Sequence, residues 1–249
     1  MFFTRLPLWR LAMVERSFFE RVVPLWPLAG WLTGSVMALV LWASQLLHLS
    51  TGVGVALALL SRCLLTGALH EDGFADFCDG FGGGTSRERT LLIMKDSHIG
   101  TYGVLGLILY VLVVWNVLTF LFEAGLSPLI LVVADALAKG FSATIIYFLP
   151  YARTEADAKN RLVYVRTPIP ERLMSIVLAL APLALSLCVV PAAVPTPVQW
   201  LLALLLPVCG CVFLFIWMHR RLQGYTGDCC GATFLITETL IYLSLCLIV

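Results

Sequence analysis

The sequence predicts an all-α integral membrane protein with about seven transmembrane helices. Of its 249 residues, 60% are hydrophobic and only 12% are charged, whereas soluble domains carry about 25% charged residues. The mean hydropathy is +0.95. The chain also contains seven apolar runs of 17–23 residues, and a helix needs about 20 such residues to cross a bilayer.

The seven runs are separated by short polar segments that predict the connections. No internal repeat or low-complexity tract interrupts them, so we expect one polytopic membrane domain over 1–249. Residues 1–24 alternate charged with apolar side chains and lack the apolar core of a signal peptide, which predicts an interfacial segment on the membrane surface. The runs themselves are 25–47, 51–69, 103–122, 127–149, 173–192, 198–218 and 233–249.

Lysines and arginines predict the orientation of the helices. Fourteen of the sixteen basic residues fall in the N-terminal segment and in the loops 70–102, 151–172 and 219–232, all on one side of a seven-span topology. Basic residues favour the cytoplasmic side, so we expect a cytoplasmic N-terminus and cytoplasmic loops. The net charge is only +1, and no basic stripe is present, so we expect no nucleic-acid partner.

One cytoplasmic stretch, ALHEDGFADFCDGFGGG (68–84), concentrates acidic residues. If the second span continues through it as one helix, Asp72, Asp76 and Asp79 follow an i, i+4, i+7 spacing and share a face. Carboxylates on one face repel each other, and oxygen ligands suit Mg²⁺. We therefore predict a Mg²⁺ site here, at the cytoplasmic end of the second span. A solvated acidic helix end is the plainer alternative.

Basic residues in the cytoplasmic loops are candidates for binding phosphate. Thr85 and Glu88 fit a capping box for a short helix through about Lys95, which would return that lysine towards the acidic stretch. Arg153 and Arg221 each lie at the end of a helix on the same side, and arginine matches phosphate oxygens well. A metal with such cations is what phosphoryl transfer needs.

Charged residues inside the spans are explained best as ion pairs. Asp135 and Lys139 are four residues apart on the fourth span, so we expect them to pair with each other as a structural feature. Arg62 lies about 15 Å deeper than the acidic stretch at the helical rise, where Glu238 is a candidate partner.

His70 directly precedes the acidic face. In a continuous helix it points nearly opposite to Asp72. We therefore expect His70 to act as a general base only if the helix breaks there.

The motifs ALHEDGFADFCDGFGGG, IMKDSHIGTYG and GYTGDCCGA, together with FFTRLP and PYAR, resemble the cobalamin synthase, or adenosylcobinamide-GDP ribazoletransferase, family over nearly the whole chain. The resemblance implies an enzyme of the last stage of vitamin B12 assembly. It would join adenosylcobinamide-GDP to α-ribazole or its 5′-phosphate, release GMP and require Mg²⁺.

The resemblance also implies a location and partners. We expect a multi-pass protein of a bacterial or archaeal cytoplasmic (inner) membrane, surrounded by lipid, with its active site facing the cytoplasm. Its binding partners would be the corrinoid nucleotide and α-ribazole or its phosphate. A homo-oligomer, or association with other enzymes of B12 assembly, is compatible with the sequence.

The resemblance implies roles for particular residues. Three aspartates would hold Mg²⁺ against the pyrophosphate, three cations and Asp228 would bind substrate, and either Asp79 or His70 would accept the hydroxyl proton. The metal ligands are Asp72, Asp76 and Asp79, and the cations are Lys95, Arg153 and Arg221.

The chain departs from the pattern of the family at four positions. It has His98 in place of the usual arginine and Glu71 in place of an apolar residue, and it also differs at Tyr225 and Cys229. The arginine that His98 replaces would be a phosphate ligand, so such a role is not assigned to His98. The three aspartates are unaffected.

Two other activities remain as alternatives at this stage. The acidic helix is similar to that of CDP-alcohol phosphotransferases, but their DGxxAR spacing is absent, because Asp72 and Gly73 are followed by Phe74, Ala75 and Asp76. A small membrane transporter would instead predict charges near the bilayer midplane, inverted repeats or broken helices. A scaffold without chemistry would leave the aligned aspartates unexplained.

Overall fold

The computed structural model describes residues 4–7, 15–153 and 167–249, and these are helical apart from turns and connections. The all-α architecture is confirmed. Two short 3₁₀ turns, Val23–Leu25 and Pro191–Ala193, precede longer helices. The α-helices are α1 (Arg16–Glu20), α2 (Trp26–Leu46), α3 (Thr51–Thr66), α4 (Leu69–Gly83), α5 (Arg87–Ile93), α6 (Thr101–Glu123), α7 (Leu129–Phe148), α8 (Ile169–Val189), α9 (Pro197–Ala203), α10 (Leu205–Leu222) and α11 (Gly227–Cys246).

The predicted number of spans is confirmed. In the described part of the chain, six helical segments are long and apolar enough to cross a membrane, and the bent pair α3–α4 makes a seventh if it counts as one span. These segments match the seven predicted runs in order. The six are Val23–Leu46, Thr101–Glu123, Leu129–Phe148, Ile169–Val189, Pro197–Leu222 and Gly227–Cys246.

The second predicted run does not continue as one helix into the acidic stretch, so that expectation was wrong. The axes of α3 and α4 differ by 91°. Gly67 and Ala68 adopt left-handed φ angles of 70° and 57°, and a left-handed residue after the last turn ends an α-helix. The backbone N–H of Arg5 donates to the carbonyl of Leu65 at this end, 2.8 Å away. Because the break precedes the three aspartates, they still share one helix.

The centre of the bundle is formed by α7 and α11. In their apolar windows 67% and 72% of the residues are buried, against 22% in α6 and in α8. α11 contacts α4, α6, α7 and α10. α2 packs closely on α7, because a Cβ on Gly30 or Gly34 would lie 2.7 Å from Cα of Ala136 or 2.6 Å from Cα of Val132. Small residues four apart allow such approach in membranes.

The outer helices present apolar side chains away from the bundle. On α6, for example, Leu105, Ile108, Leu109 and Leu112 are all exposed. Such a surface suits hydrocarbon rather than water. The polar segments that join the helices are therefore the places where the chain can bind water-soluble molecules.

Candidate active site

Three loops that carry the sequence motifs meet at one end of the bundle. Tyr225 donates its backbone N–H to the carbonyl of Pro150 at 2.9 Å, and Ala152 donates to the carbonyl of Tyr225 at 2.8 Å. Arg87 joins these two segments to α5, because its Nη2 donates to the carbonyl of Ala152 and its Nε to that of Leu222. These loops, which the distribution of basic residues predicted to lie on the same side of the membrane, are thus in contact.

The acidic face of α4 is unevenly buried. Asp72 is exposed, Asp76 is half-buried and Asp79 is buried. The two carboxylate oxygens of Asp79 accept backbone N–H groups from Gly100 at 2.7 Å and Gly103 at 2.8 Å. Gly100 is the N-cap residue of α6 and Gly103 lies in its first turn, where N–H groups lack internal acceptors and favour negative charge. Asp79 therefore caps α6 and fixes its start against α4.

Asp72 and Asp76 fit a common mode of Mg²⁺ binding. Mg²⁺ is typically held by one or two carboxylates together with phosphate oxygens of the substrate, and these two side chains lie one turn apart on the more accessible part of the face. Within the described ranges, no group of three or more His, Cys, Asp and Glu side chains is arranged to hold a metal ion. That Asp79 completes the metal site stays a prediction.

A cavity of about 670 Å³ lies between the end of α4, α5 and the start of α6. The exposed side chain of Lys95 shares this cavity with Asp79, which brings one predicted cation to the acidic helix. Its polar lining residues include Asp79, Arg89, Lys95, Asp96, His98 and Thr101. A space of this size accommodates a small-molecule ligand.

His98 and Asp96 form an exposed pair on the rim of this cavity. Nδ1 of His98 lies 2.6 Å from Oδ1 of Asp96, and the backbone N–H of His98 donates to the same oxygen at 3.0 Å. The side-chain hydrogen bond from His98, followed by the backbone one, lowers the pKa of the Asp96 carboxyl below its usual range. His98 therefore contacts an acidic side chain here.

The two predicted phosphate-binding arginines donate to helix carbonyls. Nη2 of Arg221 donates to the carbonyl of Gly84, at the end of α4, and Nη2 of Arg153 donates to that of Leu91 in α5 at 3.1 Å. Both side chains are half-buried. A guanidinium has five N–H donors, so these contacts leave donors for a phosphate. Their role in substrate binding stays a prediction.

Asp228 is brought next to the acidic helix. It lies in the first turn of α11, is 8% exposed, and accepts a hydrogen bond at 3.3 Å from the hydroxyl of Thr226. A Cβ on Gly73 would lie 3.1 Å from Cα of Asp228. The glycine after Asp72 therefore allows α4 and α11 to approach closely at the predicted site.

His70 lies on a different side of α4 from the aspartates. It is the second residue of the helix, is 5% exposed, and its ring centroid is 4.5 Å from that of Phe234. Because the chain breaks before His70 and not after it, His70 and Asp72 stay on one continuous helix. The condition that we set for His70 as a base is not met by this break, and its catalytic role stays a prediction.

Below the site, the predicted partner of Arg62 is confirmed. Nη1 of Arg62 donates to both carboxylate oxygens of Glu238 at 2.7 and 2.6 Å, and Nη2 donates to the hydroxyl of Tyr110 at 2.6 Å. Glu71 is also buried, and its Oε1 lies 3.7 Å from the same guanidinium. Arg62 thus connects α3 to α4, α6 and α11.

The predicted pair of Asp135 and Lys139 on α7 is also confirmed. The hydroxyl of Thr33 on α2 donates to Asp135 at 2.7 Å. The ammonium of Lys139 lies 3.9 Å from the ring centroid of Phe234 on α11. The pair is fully surrounded by protein, as its assignment to structure rather than catalysis requires.

The structure corrects one cap and adds one residue to the site. α5 is capped by Ser86, whose hydroxyl accepts the N–H of Arg89 at 3.2 Å, and not by Thr85 as predicted. The helix accordingly spans Arg87–Ile93 and ends before Lys95. Sequence reasoning counted Arg87 only as one more basic loop residue, and no spacing in the sequence distinguishes it from Arg89.

The comparisons with known proteins identify the family of the chain. The profile of the cobalamin-5-phosphate synthase family matches residues 1–246. The chain belongs to this family. Membership in the cobalamin-5-phosphate synthase family confirms the resemblance that the motifs indicated.

Curated relatives match at nearly full length. Three are named adenosylcobinamide-GDP ribazoletransferase. That of Shewanella piezotolerans is 34% identical over 250 residues, covering 99% of this chain and 92% of the relative. That of Shewanella baltica (strain OS185) is 38% identical over 244 residues, covering 97% and 89%. That of Shewanella pealeana is 37% identical over 247 residues, covering 98% and 91%. No solved structure matches the chain.

Proposed function

We propose that this chain transfers the adenosylcobinamide-phosphate group of adenosylcobinamide-GDP to α-ribazole or α-ribazole 5′-phosphate, with release of GMP. The observation that carries the proposal is the convergence of the acidic helix α4, the cavity and the arginine-bearing loops at one end of the bundle, in a chain of this family. Its relatives are named adenosylcobinamide-GDP ribazoletransferase, a name that contains both the nucleotide and the ribazole of this reaction.

The reaction breaks a phosphoanhydride bond and forms a phosphate ester bond. A ribose hydroxyl oxygen of α-ribazole attacks the phosphorus attached to cobinamide, the bond from that phosphorus to the bridging oxygen of the pyrophosphate breaks, and GMP leaves with that oxygen. The hydroxyl proton passes to a base. Because α-ribazole 5′-phosphate is blocked at the 5′ position, the hydroxyl that attacks in that acceptor is another one of the ribose.

Positioning and charge neutralisation are the main tasks of the protein in such a transfer. Asp72 and Asp76 would hold Mg²⁺, which, when bound, neutralises charge on the pyrophosphate. The site also contains cations that can bind the remaining phosphate oxygens, and Asp228 lies beside the acidic helix for contact with substrate. The cations are Lys95, which lines the cavity, and Arg153 and Arg221, which donate to the carbonyls of Leu91 in α5 and of Gly84 at the end of α4.

Asp79 is better placed than His70 to accept the hydroxyl proton. Asp79 lines the cavity, whereas His70 is buried against Phe234. We therefore assign the proton to Asp79, while the same carboxylate keeps α6 in position.

We also propose the location of the site. The excess of basic residues in the loops at this end of the bundle favours the cytoplasm, so the protein would lie in the cytoplasmic membrane, surrounded by lipid, with its active site on the cytoplasmic side. The corrinoid nucleotide and α-ribazole would then both enter from the cytoplasm. Assembly into a homo-oligomer, or with other enzymes of B12 assembly, is a further part of this proposal.

A small transporter is the alternative that two structural features favour. Broken spans and interior charges occur at transporter binding sites, and this chain has the bent pair α3–α4 and two interior ion pairs. Those charges, however, contact each other, and all four side chains are at most 3% exposed. A transferase function therefore accounts for more of the structural features than a transport function does.

The test is GMP release by the full-length protein in detergent, supplied with adenosylcobinamide-GDP and α-ribazole 5′-phosphate. We expect release with Mg²⁺ and none with EDTA. Asp76→Asn should lower the rate by about 100- to 1,000-fold, as removal of one electrostatic stabiliser does. Glu123→Gln, the same chemical change at the far end of α6, should leave it unchanged.

Three outcomes would contradict this proposal. Full activity in EDTA would remove the metal from the reaction, and full activity of Asp76→Asn would remove the acidic face from the site. If the folded wild-type protein releases no GMP but carries solute into liposomes, the transporter alternative holds instead.

A further inference from the structure

Arg87 occupies a place that no sequence pattern singled out. It is the first residue of α5, yet its hydrogen bonds go to two other segments. Nε donates to the carbonyl of Leu222 at 2.8 Å and Nη2 to the carbonyl of Ala152 at 2.7 Å. One guanidinium thus connects α5, the end of α10 and the segment after α7.

The two acceptors of Arg87 are the immediate chain neighbours of two predicted phosphate ligands. Leu222 follows Arg221, and Ala152 precedes Arg153. The planar peptide unit that contains the Ala152 carbonyl adjoins Arg153 directly, and the one that contains the Leu222 carbonyl lies one residue beyond Arg221, at the end of α10. A hydrogen bond to each limits how far the backbone near the two arginines can move. The contacts of Arg87 therefore restrict the positions of both of these arginines at once.

The acceptors also explain why the contact is stable. Leu222 is the last residue of α10, where carbonyls lack an internal donor and the helix dipole favours a cation. Tyr225 joins the same two segments through backbone hydrogen bonds with Pro150 and Ala152. Arg87 adds α5 to this pair of segments, and α5 forms one wall of the cavity.

The arginines form a reciprocal set around the site. Arg87 on α5 holds the end of α10, Arg221 on α10 holds the end of α4 through the carbonyl of Gly84, and Arg153 holds α5 through the carbonyl of Leu91. Each side chain donates to a carbonyl at or near the end of a helix to which it does not belong. Loss of one contact therefore loosens the placement of the next arginine in the set.

We propose that Arg87 is a positioning residue for the transfer reaction: it sets Arg153 and Arg221 relative to the acidic helix and does not itself touch substrate. This inference rests on the proposed function, in which those two arginines bind the phosphates of the corrinoid nucleotide. It predicts that replacing Arg87 raises KM for the corrinoid nucleotide and leaves KM for α-ribazole 5′-phosphate nearly unchanged.

The first experiment separates KM from kcat in the full-length protein. Arg87→Ala should raise KM for adenosylcobinamide-GDP by about 10- to 100-fold, because a displacement of about 1 Å has effects of this size, while KM for α-ribazole 5′-phosphate stays within about twofold. Arg87→Lys should recover part of the loss, since an ammonium can donate to a carbonyl but lacks the planar fork. Arg220→Ala, an exposed neighbour of Arg221, is the matched control and should behave as wild type.

A double variant tests whether Arg87 acts through Arg221. If it does, Arg87→Ala should raise KM less in the Arg221→Ala background than in wild type, and should raise it no further once Arg153 and Arg221 are both replaced by Ala. Multiplied effects would mean that Arg87 acts independently, and an equal change in both KM values, or none, would overturn the proposal as well. Should Arg87→Ala not fold, Arg87→Lys carries the same test.

Single substitutions of the two predicted phosphate-binding arginines distinguish a failure of this inference from a failure of the proposed function. If Arg153→Ala and Arg221→Ala leave KM for the nucleotide unchanged, their proposed roles are wrong whatever Arg87 does. If they raise it and Arg87→Lys and Arg87→Ala do not, the proposed function stands and the positioning role of Arg87 is wrong.

Discussion

Charged side chains in the interior and at the site end of the bundle find different kinds of partner. In the interior, Arg62 donates to Glu238, and Lys139 pairs with Asp135. At the site end, four charged side chains bind the backbone instead, and Asp96 pairs with His98 at the surface. Asp79 accepts N–H groups from the start of α6, and three arginines donate to carbonyls near helix ends.

The difference follows from where free backbone groups exist. Within a spanning helix nearly every N–H and C=O is used by the helix itself, so a buried charge must pair with another side chain. Helix ends leave up to four N–H or C=O groups without an internal partner, and these attract charged side chains. Charged side chains in the interior therefore pair with side chains of opposite charge. Those at the site end bind whichever helix end the fold brings close.

The largest loss of stability is expected from a substitution that breaks an interior ion pair. Arg62→Leu should lower the free energy of unfolding by about 3–5 kcal/mol, because it leaves Glu238 buried without its counter-charge. Thermal unfolding of the detergent-solubilised protein measures this loss. Arg220→Ala, which removes an exposed arginine, should change it by less than about 0.5 kcal/mol.

A second variant sharpens the same prediction. Replacing both partners, as in Arg62→Met with Glu238→Leu, should recover part of the lost stability, since a buried ion pair and an apolar pair of similar volume are often close in free energy. If Arg62→Leu unfolds at the same temperature as Arg220→Ala, the interior pair does not stabilise the bundle in this way.

A smaller effect is expected from the cap at the site end. Asp79→Ala should cost about 1–2 kcal/mol, the usual range for a lost helix cap, because Gly100 and Gly103 lose their acceptor. Asp72→Ala, on the same face but exposed, should cost nothing, since it removes a like charge. Unfolding is measured without Mg²⁺ or substrate, so that any metal role makes no contribution. Equal losses in the two variants would argue against a capping role for Asp79.

Features that depend on spacing along one segment were predictable from the sequence. The runs of about 20 apolar residues gave the spans, and the spacing of four between Asp135 and Lys139 gave their pairing. The partner of Arg62 was also predictable, because Glu238 is one of very few interior carboxylates. In each case the membrane interior leaves a charged or apolar residue few alternatives.

Features that depend on the ends of helices were not predictable in the same way. The apolar run at 51–69 gave no sign of the 91° break, although Gly67 is a residue type that commonly ends helices. Choosing Thr85 over Ser86 as the cap of α5 was a shift of one residue between two equivalent hydroxyls. The partners of Asp79, Arg153 and Arg221 are backbone groups distant in sequence, which only the packed fold brings within reach.

The smallest effect is expected from the exposed pair of Asp96 and His98. Its hydrogen bond lowers the folded-state pKa of the Asp96 carboxyl below the unfolded-state value of about 3.9. The stability that this ionised carboxylate contributes is fully present above the unfolded-state value, and it is lost as the pH falls through the lower folded-state value. The pair is exposed, so salt should also weaken it.

Comparing wild type with Asp96→Asn across pH and salt therefore tests the contrast between the two regions. The difference in melting temperature should persist from about pH 5 upwards, shrink below about pH 4, and fall when salt is raised to about 1 M. The difference in melting temperature between wild type and Arg62→Leu should be insensitive to salt, because the surrounding protein keeps salt ions away from the interior pair. If salt reduced both differences equally, the distinction between interior and site-end charges would not hold.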